Sequence, residues 1–378
     1  GIGSSDSAGL YFQDSNYVMS GSKNVSCYSC YSEGDQRGIV VRDSIDLQLI
    51  STTIEGSLDE PALDIDNSGN LFSGLVILDD IAVNSPSSNY SVRLEGVDAE
   101  ISGLDLSGNG GGMFWKAKGS LPSRISNSVI WDSPSNCLNL ESHTEMNADN
   151  VSLICDVLPS IDQSSVNFTH SSLSNRSGSQ SSFSLNTSSH LRWISSGTIL
   201  TPENSEDDVI VDVMWMIDVH TINQNLLNIP FALVNISFQQ FESEVAATQP
   251  YEGMLEYGPF VGEKWTPLQG WSPTNTAYVG CDYDGVHNDS EPIQLDGDKR
   301  VYCILELSNQ PPFIRWESPL DETEYSSESE ILFDARESWD LDYDDLTYSW
   351  SSNIDGDIAS ACSMQSSNNS FFIATNVE

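Results

Sequence analysis

SVRLEGVDAEIS, residues 91–102, and MFWKAKGSLPSRIS, residues 113–126, carry the same marks in the same order. A short alternating apolar run comes first, around Val92 in one and Phe114 in the other. A polar stretch follows, and then an apolar residue joined to serine, Ile101-Ser102 and Ile125-Ser126. Working outward, the apolar-Ser/Thr pair recurs at Val25-Ser26, Ile50-Ser51, Phe72-Ser73, Val151-Ser152, Phe168-Thr169 and Ile194-Ser195. The out-of-phase apolar mark recurs at Leu10, Ile39, Leu63, Leu138, Ile161 and Phe183. Gaps between like marks run from 17 to 29 residues and are filled with Gly, Ser, Asn and Asp, which are turn formers. Runs this short with period two do not make helices. Two or three short strands per turn of a coil do fit them. Each strand then lies about 4.8 Å above its equivalent in the coil before. The reading is all-β: a parallel β-helix of about eight coils over residues 1–204, in which no coil buries its apolar face alone. A β-sandwich of many short strands is the competing arrangement.

The texture changes near residue 205. TPENSEDD is a charged linker, and VIVDVMWMIDVHTI then alternates for longer than any coil strand, with Val209, Val211, Val213, Trp215, Ile217 and Val219 on one face. FALVNISF, TAYVGCDYDG and KRVYCILEL continue in the same manner, so residues 205–308 read as a β-sandwich. NIPFALVNIS resembles the strand pair of carboxypeptidase-regulatory-like or transthyretin-like modules of secreted proteins.

From the double proline onward, residues 309–378, a second resemblance covers about 45 residues. Its landmarks are Pro311-Pro312, Phe333 to Ala335, Ser338, the turn from Asp340 to Asp344, then Leu346, Tyr348, Trp350 and Asp355-Gly356. The stretch resembles the opening of a PKD domain, an Ig-like module of surface proteins and secreted enzymes. Leu341 and Tyr343 stand where that family carries Pro and Gly. The family module continues through further strands, so the resemblance implies an incomplete last module here, closed by continuing chain or by a neighbouring copy.

Acidic residues number 56 against 14 basic ones, a net charge of −42. Such a field repels nucleic acid and anionic membrane and recruits cations. No run of about 18 apolar residues marks a membrane span. GIGSSDSAGLYF is neither a signal peptide nor a Met start, so the chain is read as processed or as part of something longer. Seven cysteines are too few for a disulfide scaffold; scattered disulfides in an oxidising compartment fit better. Cys281 and Cys303 flank a turn-rich segment and are paired in this reading. The partners of Cys27, Cys30, Cys137, Cys155 and Cys362 stay open.

Asp340, Asp342, Asp344 and Asp345 crowd one loop. In an extended chain alternate aspartates point the same way about 6.5 Å apart. Each such pair costs ~2.5 kcal/mol at an effective dielectric near 20. Ca2+ accepts six to eight oxygens from irregular loops and is the candidate neutraliser; a solvated turn in a salty medium is the alternative. DYDGVHND, residues 282–289, is a second acidic turn. Sequons stand at Asn24, Asn89, Asn150, Asn167, Asn175, Asn186, Asn235, Asn288 and Asn368, and glycosylation of at least one is expected of a secreted chain. Asp79-Asp80 resembles the aspartate pair of a polygalacturonase, but the companion GHG and RIK motifs are absent. The five histidines show no metal-ligand spacing, and no GxSxG or phosphate loop occurs. Gly108 to Gly112 read as a corner loop. Phe114 and Trp115 make either a sugar platform or a coil strand with one ring inside and one outside.

The expected role is a structural or adhesive component of an extracellular surface assembly, stabilised by calcium and without catalysis in this segment. The alternatives are a secreted carbohydrate-binding or carbohydrate-active protein whose catalysis lies elsewhere, and a self-assembling filament or sheath subunit. Expected partners are further copies or a continuation of the same protein, with carbohydrate as a further class and nucleic acid excluded.

Overall fold

The structure, a computed structural model, describes residues 8–12, 24–28, 31–34, 37–42, 46–56, 60–69, 75–85, 90–106, 111–131, 137–175, 177–178, 181–197, 199, 201–203, 206–241, 245–248, 252–308, 312–319, 325, 330–340, 345–352, 356–357 and 371–375. It is all-β; among these residues there is no helix, and so none long and apolar enough to cross a membrane. The first half winds into a β-solenoid of about six turns, with further strands stacked at each end.

Two parallel sheets run along the solenoid. Short strands such as Leu63–Asp66, Tyr90–Glu95, Gly112–Lys116 and Leu138–Glu141 stack in the first. Longer ones such as Leu75–Asn84, Asp98–Asp105, Ser123–Trp131 and Met146–Ile154 stack in the second. Like positions lie directly above one another. In the first sheet Val41, Ile65, Leu94, Trp115, Leu140, Ile161 and Leu185 form one inward column. In the second sheet Leu49, Leu78, Ile101, Ile125, Ala148, Phe168, Trp193 and Val213 form another. Every member of both columns is buried. Ala148 beside Phe168 leaves room for the ring, and Phe168, Phe183 and Trp193 fill the far end of the core with centroids 5.4 to 5.7 Å apart.

The sequence marks have the right period and an uneven register. Ile39, Leu63 and Val92 align, but Met113, not Phe114, continues their column. Ile161 stacks on Leu140, two residues past Leu138. In MFW all three residues are apolar, so alternation alone cannot say which faces inward. Phe72-Ser73 lies outside the described residues.

The repeated mark lies at or within two residues of a corner. The second sheet bends at Ser51, Asp80, Gly103, Asn127, Asn150, His170 and Ser195, all with φ between 45° and 64°. Their strand neighbours place these residues one above another. A left-handed backbone is accessible to Gly and tolerated by Asn, Asp and His. It turns the chain so that the next N–H misses the carbonyl of the adjacent coil. A hydroxyl mends this. Thr52, Ser128, Ser171 and Ser196, each following a bend residue, donate to the carbonyl two residues back. Ser128, Ser171 and Ser196 also accept a backbone N–H from the preceding coil, those of Leu104, Val151 and Ser171. Ser164 and Ser189 repeat the backward bond at another corner, after Gln163 and Ser188, which have φ of 49° and 51°. Buried N–H groups need acceptors, which explains why a solenoid core contains so much serine.

Strand Ile210–Asn223 ends the solenoid and begins the next unit. Residues Ile210 to Met214 pair in parallel with His190–Ile194. Along the same edge, Ile217 to Asn223 pair in parallel with Lys299–Leu305. The other edge pairs antiparallel with Met254–Thr266. Val209, Val211 and Val213 therefore join the solenoid core, whereas Ile217 and Val219 join a second one. Trp215 packs against both. Across the second core lies a five-stranded antiparallel sheet that includes Leu233–Phe238 and Thr276–Tyr283 and contributes Val234, Ile236, Ala277 and Val279. Farther on, Glu330–Asp334 pairs antiparallel with Phe371–Thr375 beside a small core of Ile331, Phe333, Ala335 and Trp350.

Candidate functional site

The loop that crowds aspartates is described only at its ends. Asp340 is buried and Asp345 exposed, and Asp342 and Asp344 lie outside the described residues. Among the described residues no three His, Cys, Asp or Glu side chains gather as metal ligands. Cys281 and Cys303 form a disulfide across the two sheets of the second unit, with Cα atoms 6.3 Å apart. Cys137 and Cys155 form another within one solenoid coil, at 5.3 Å. Cys30 and Cys362 lie outside the described residues, as does the side chain of Cys27.

The sequons fall into distinct environments. The Asn167 amide donates to Asn147 at 2.8 Å and its carbonyl accepts from Arg192 at 3.1 Å. Asn150, at a corner, donates to Asn127 at 2.8 Å. Asn186 donates to the Ser160 hydroxyl, and Asn175 accepts from Ser177. A glycan on the nitrogen of Asn150, Asn167 or Asn186 would disturb a bond between coils. Asn235 and Asn288 are exposed in the second unit, and the Asn288 amide donates to the Ile304 carbonyl. Asn89, Asn368 and the side chain of Asn24 lie outside the described residues.

Some charges on the sheet faces are paired across neighbouring strands. On the first sheet Asp64 is buried between Arg42, at 2.5 Å, and Arg93, at 3.1 Å, and Arg93 also pairs with Glu95. On the second, Arg192, Asp212 and Lys264 follow one another across the junction between units. Asp212 accepts from His190 at 2.7 Å and lies 3.5 Å from Lys264. Burial alone would push its carboxyl up, but the His190 bond and the Lys264 charge outweigh that and hold it below the usual range. Stacking like charges about 4.8 Å apart is costly; Lys116 lies between Glu95 and Glu141, yet Asp66 stacks on Glu95 and Glu141 on Asp162. An ionised, paired carboxylate such as Asp212 is a poor proton donor. Asp80 occupies a corner and accepts from Ser51, while Asp79 stacks between Ile50 and Ser102. Trp115 is buried with its indole N–H on the Val97 carbonyl, whereas Phe114 faces out against Tyr90. Four histidines pair with aspartates, namely 170, 190, 220 and 287. His143 is buried, and its Nε2 bonds the Trp115 carbonyl.

One concavity among the described residues was not singled out by any motif. It is a cleft of about 440 Å³ between the second unit and the C-terminal module. One wall is the turn after strand Ile210–Asn223, where the side-chain amide oxygen of the buried Asn223 accepts the N–H groups of Asn225 and Leu227. The turn presents Asn228 and Phe231, the latter 43% exposed at φ 60°. The other wall is Phe313 to Arg315. Phe313 and Trp339 exchange two backbone hydrogen bonds, and their rings stack at 4.8 Å. Ser338 fastens the backbone of Arg315 from the far side. Glu252 and Arg315 place one charge of each sign on the lining. A smaller groove of about 300 Å³ lies on the other side of Ile314, between Trp316 and Trp350. These groups are dispersed over more than 100 positions of sequence, and no local pattern announces them. In comparisons with known proteins, no family model, no curated protein and no solved structure matches the chain.

Proposed function

We propose that the chain is a structural or adhesive component of an extracellular surface assembly, stabilised by calcium at the Asp340–Asp345 loop. In this reading the solenoid has eight coils, residues 205–308 are a transthyretin-like β-sandwich, and the last residues are a PKD-like, Ig-type module. The observation that carries it is strand Ile210–Asn223, which belongs to both cores and joins the solenoid to the next unit without a hinge. A rod stiffened in this way suits a part that transmits force or sets a distance. The charge of −42 suits a surface bathed in cations. Protease treatment of intact producing cells tests the role. Release of a resistant fragment containing the solenoid is expected; protection of the chain until the cells are lysed would overturn it. Carbohydrate binding is the second reading, and the aromatic cleft is the observation that favours it.

A further inference from the structure

We propose that the cleft between Phe231 and the Phe313–Trp339 pair binds a single neutral hexopyranose unit of a glycan. The site is new relative to the solenoid and the aspartate loop, and it does not depend on the surface role.

A pyranose ring has two apolar C–H faces and a rim of hydroxyls that both donate and accept. A protein matches it with aromatic rings and planar polar groups that offer donors and acceptors side by side. The cleft has both. Phe231 and Trp339 are 43% and 37% exposed, so part of each ring is open to a ligand. Asn228, Glu252 and Arg315 supply an amide, a carboxylate and a guanidinium around the same space. A volume near 440 Å³ is in the range of small-molecule sites and holds one or two sugar rings.

Two further observations narrow the ligand. Phe231 holds a left-handed backbone, φ 60°, that an aromatic residue rarely adopts. Such strain persists where the surroundings enforce it, often at ligand clamps. The neighbouring Pro230 is buried and anchors the turn while the Phe231 ring remains out in the cleft. Charge decides among partners. At −42 the chain repels uronate polymers and acidic proteins. The lining carries Glu252 and Arg315, and Arg315 pairs with Glu317 at 2.8 Å, so the cleft offers no surplus cation to an anionic polymer and a neutral glycan is the better match. A proline-rich peptide is the competing occupant of an aromatic groove. Its prolines bring no N–H, so it meets the exposed Glu252 carboxylate with fewer donors than a rim of hydroxyls does.

The test is calorimetric titration of the intact chain with cellohexaose, maltohexaose, mannohexaose and laminarihexaose, alongside polygalacturonate and a proline-rich decapeptide. One neutral hexasaccharide is expected to bind with a Kd on the order of 0.1–1 mM, in keeping with one small contact patch. Phe231→Ala and Glu252→Gln should each weaken it ~10-fold or more, as central contacts do. Trp339→Ala should abolish it, but that variant also disturbs the Phe313 bridge, so the first two decide. Trp131→Ala, an exposed tryptophan on the solenoid, should leave binding unchanged. No binding by any neutral glycan at 10 times the upper expected Kd would overturn the proposal. So would binding indifferent to Phe231→Ala and Glu252→Gln, or preference for the peptide or the uronate.

Discussion

The solenoid and the unit that follows it share a strand yet close their cores in opposite ways. In the solenoid every strand pairs with the equivalent strand of the adjacent coil, all in parallel. Each coil meets only its neighbours, so stability is a sum of local stacking terms. In residues 210–305, by contrast, one strand takes partners from Met254–Thr266 and from Lys299–Leu305, up to about 80 positions away. A disulfide then ties the two facing sheets. The first arrangement needs a hydroxyl at its corners to keep backbone groups paired. The second takes up its irregularity within the ladders, with register shifts between Val213 and Met214, Trp215 and Ile217, and Val234 and Ile236. A perturbation in the solenoid should thus stay graded and local, whereas one in the second unit should unfold that unit as a whole.

Trp193→Ala should break the comparison most sharply, because Trp193 stands where the two regimes meet. It is fully buried against Phe168 and Phe183 and stacks on Val213 of the shared strand. A loss of ~3–5 kcal/mol is expected for such a truncation. Hydrogen exchange should show lost protection in both His190–Ile194 and Ile210–Asn223. Protection lost on the solenoid side alone would mean that the shared strand does not couple the cores.

Acid should strike the solenoid first. Burial lowers the pKa of His143 from 6.5 to about 4, so the folded chain holds it neutral. Below pH 6.5 the unfolded chain takes up the proton and the folded one does not. The stability present above 6.5 is therefore lost as pH falls toward 4, by roughly 3 kcal/mol in all. Denaturant unfolding of the wild type and His143→Gln between pH 7 and 4 checks this. The difference between the two curves should change by that amount; parallel curves would remove His143 as the cause.

Replacing Cys281 and Cys303 together by Ala should cost about 3 kcal/mol through the freed loop. The loss should appear in residues 217–305 and leave exchange in the solenoid coils unchanged. Equal loss in both regions would show that they unfold as one body.

Ser171→Ala gives the smallest and most specific change. It leaves the buried Val151 N–H without its acceptor, at a cost of ~1–3 kcal/mol. Exchange at Val151 should speed up more than at Leu153, two residues along the same strand. Ser172→Ala, whose hydroxyl is exposed, is the control.

The repeat and its period were legible in the sequence, because alternation of apolar residues is imposed by the two faces of every strand. So were the change of texture after residue 204 and the single apolar face from Val209 to Val219. A strand buried against a core must alternate whichever core it meets, which is why the division of that face between two cores left no trace. The register in MFWK was ambiguous for the same reason: three neighbouring apolar residues satisfy either phase. The buried serines at 128, 171 and 196 lie in the gaps between the marks, among residues that read as turn formers, since composition cannot distinguish a hydroxyl in solvent from one bonded inside a corner.

The cleft stands at the other extreme. Phe231, Glu252, Arg315 and Trp339 are ordinary residues in four separate stretches, and only the packing of the second unit beside the C-terminal module brings them around one space. By itself the sequence determined the solenoid's periodicity, its all-β character and its surplus of negative charge, because these follow from local alternation and counting. Tertiary structure alone decided which residue of each apolar run points inward, which serines replace lost backbone bonds, and where a ligand-sized concavity forms. Those depend on contacts between residues far apart along the chain, which no local pattern encodes.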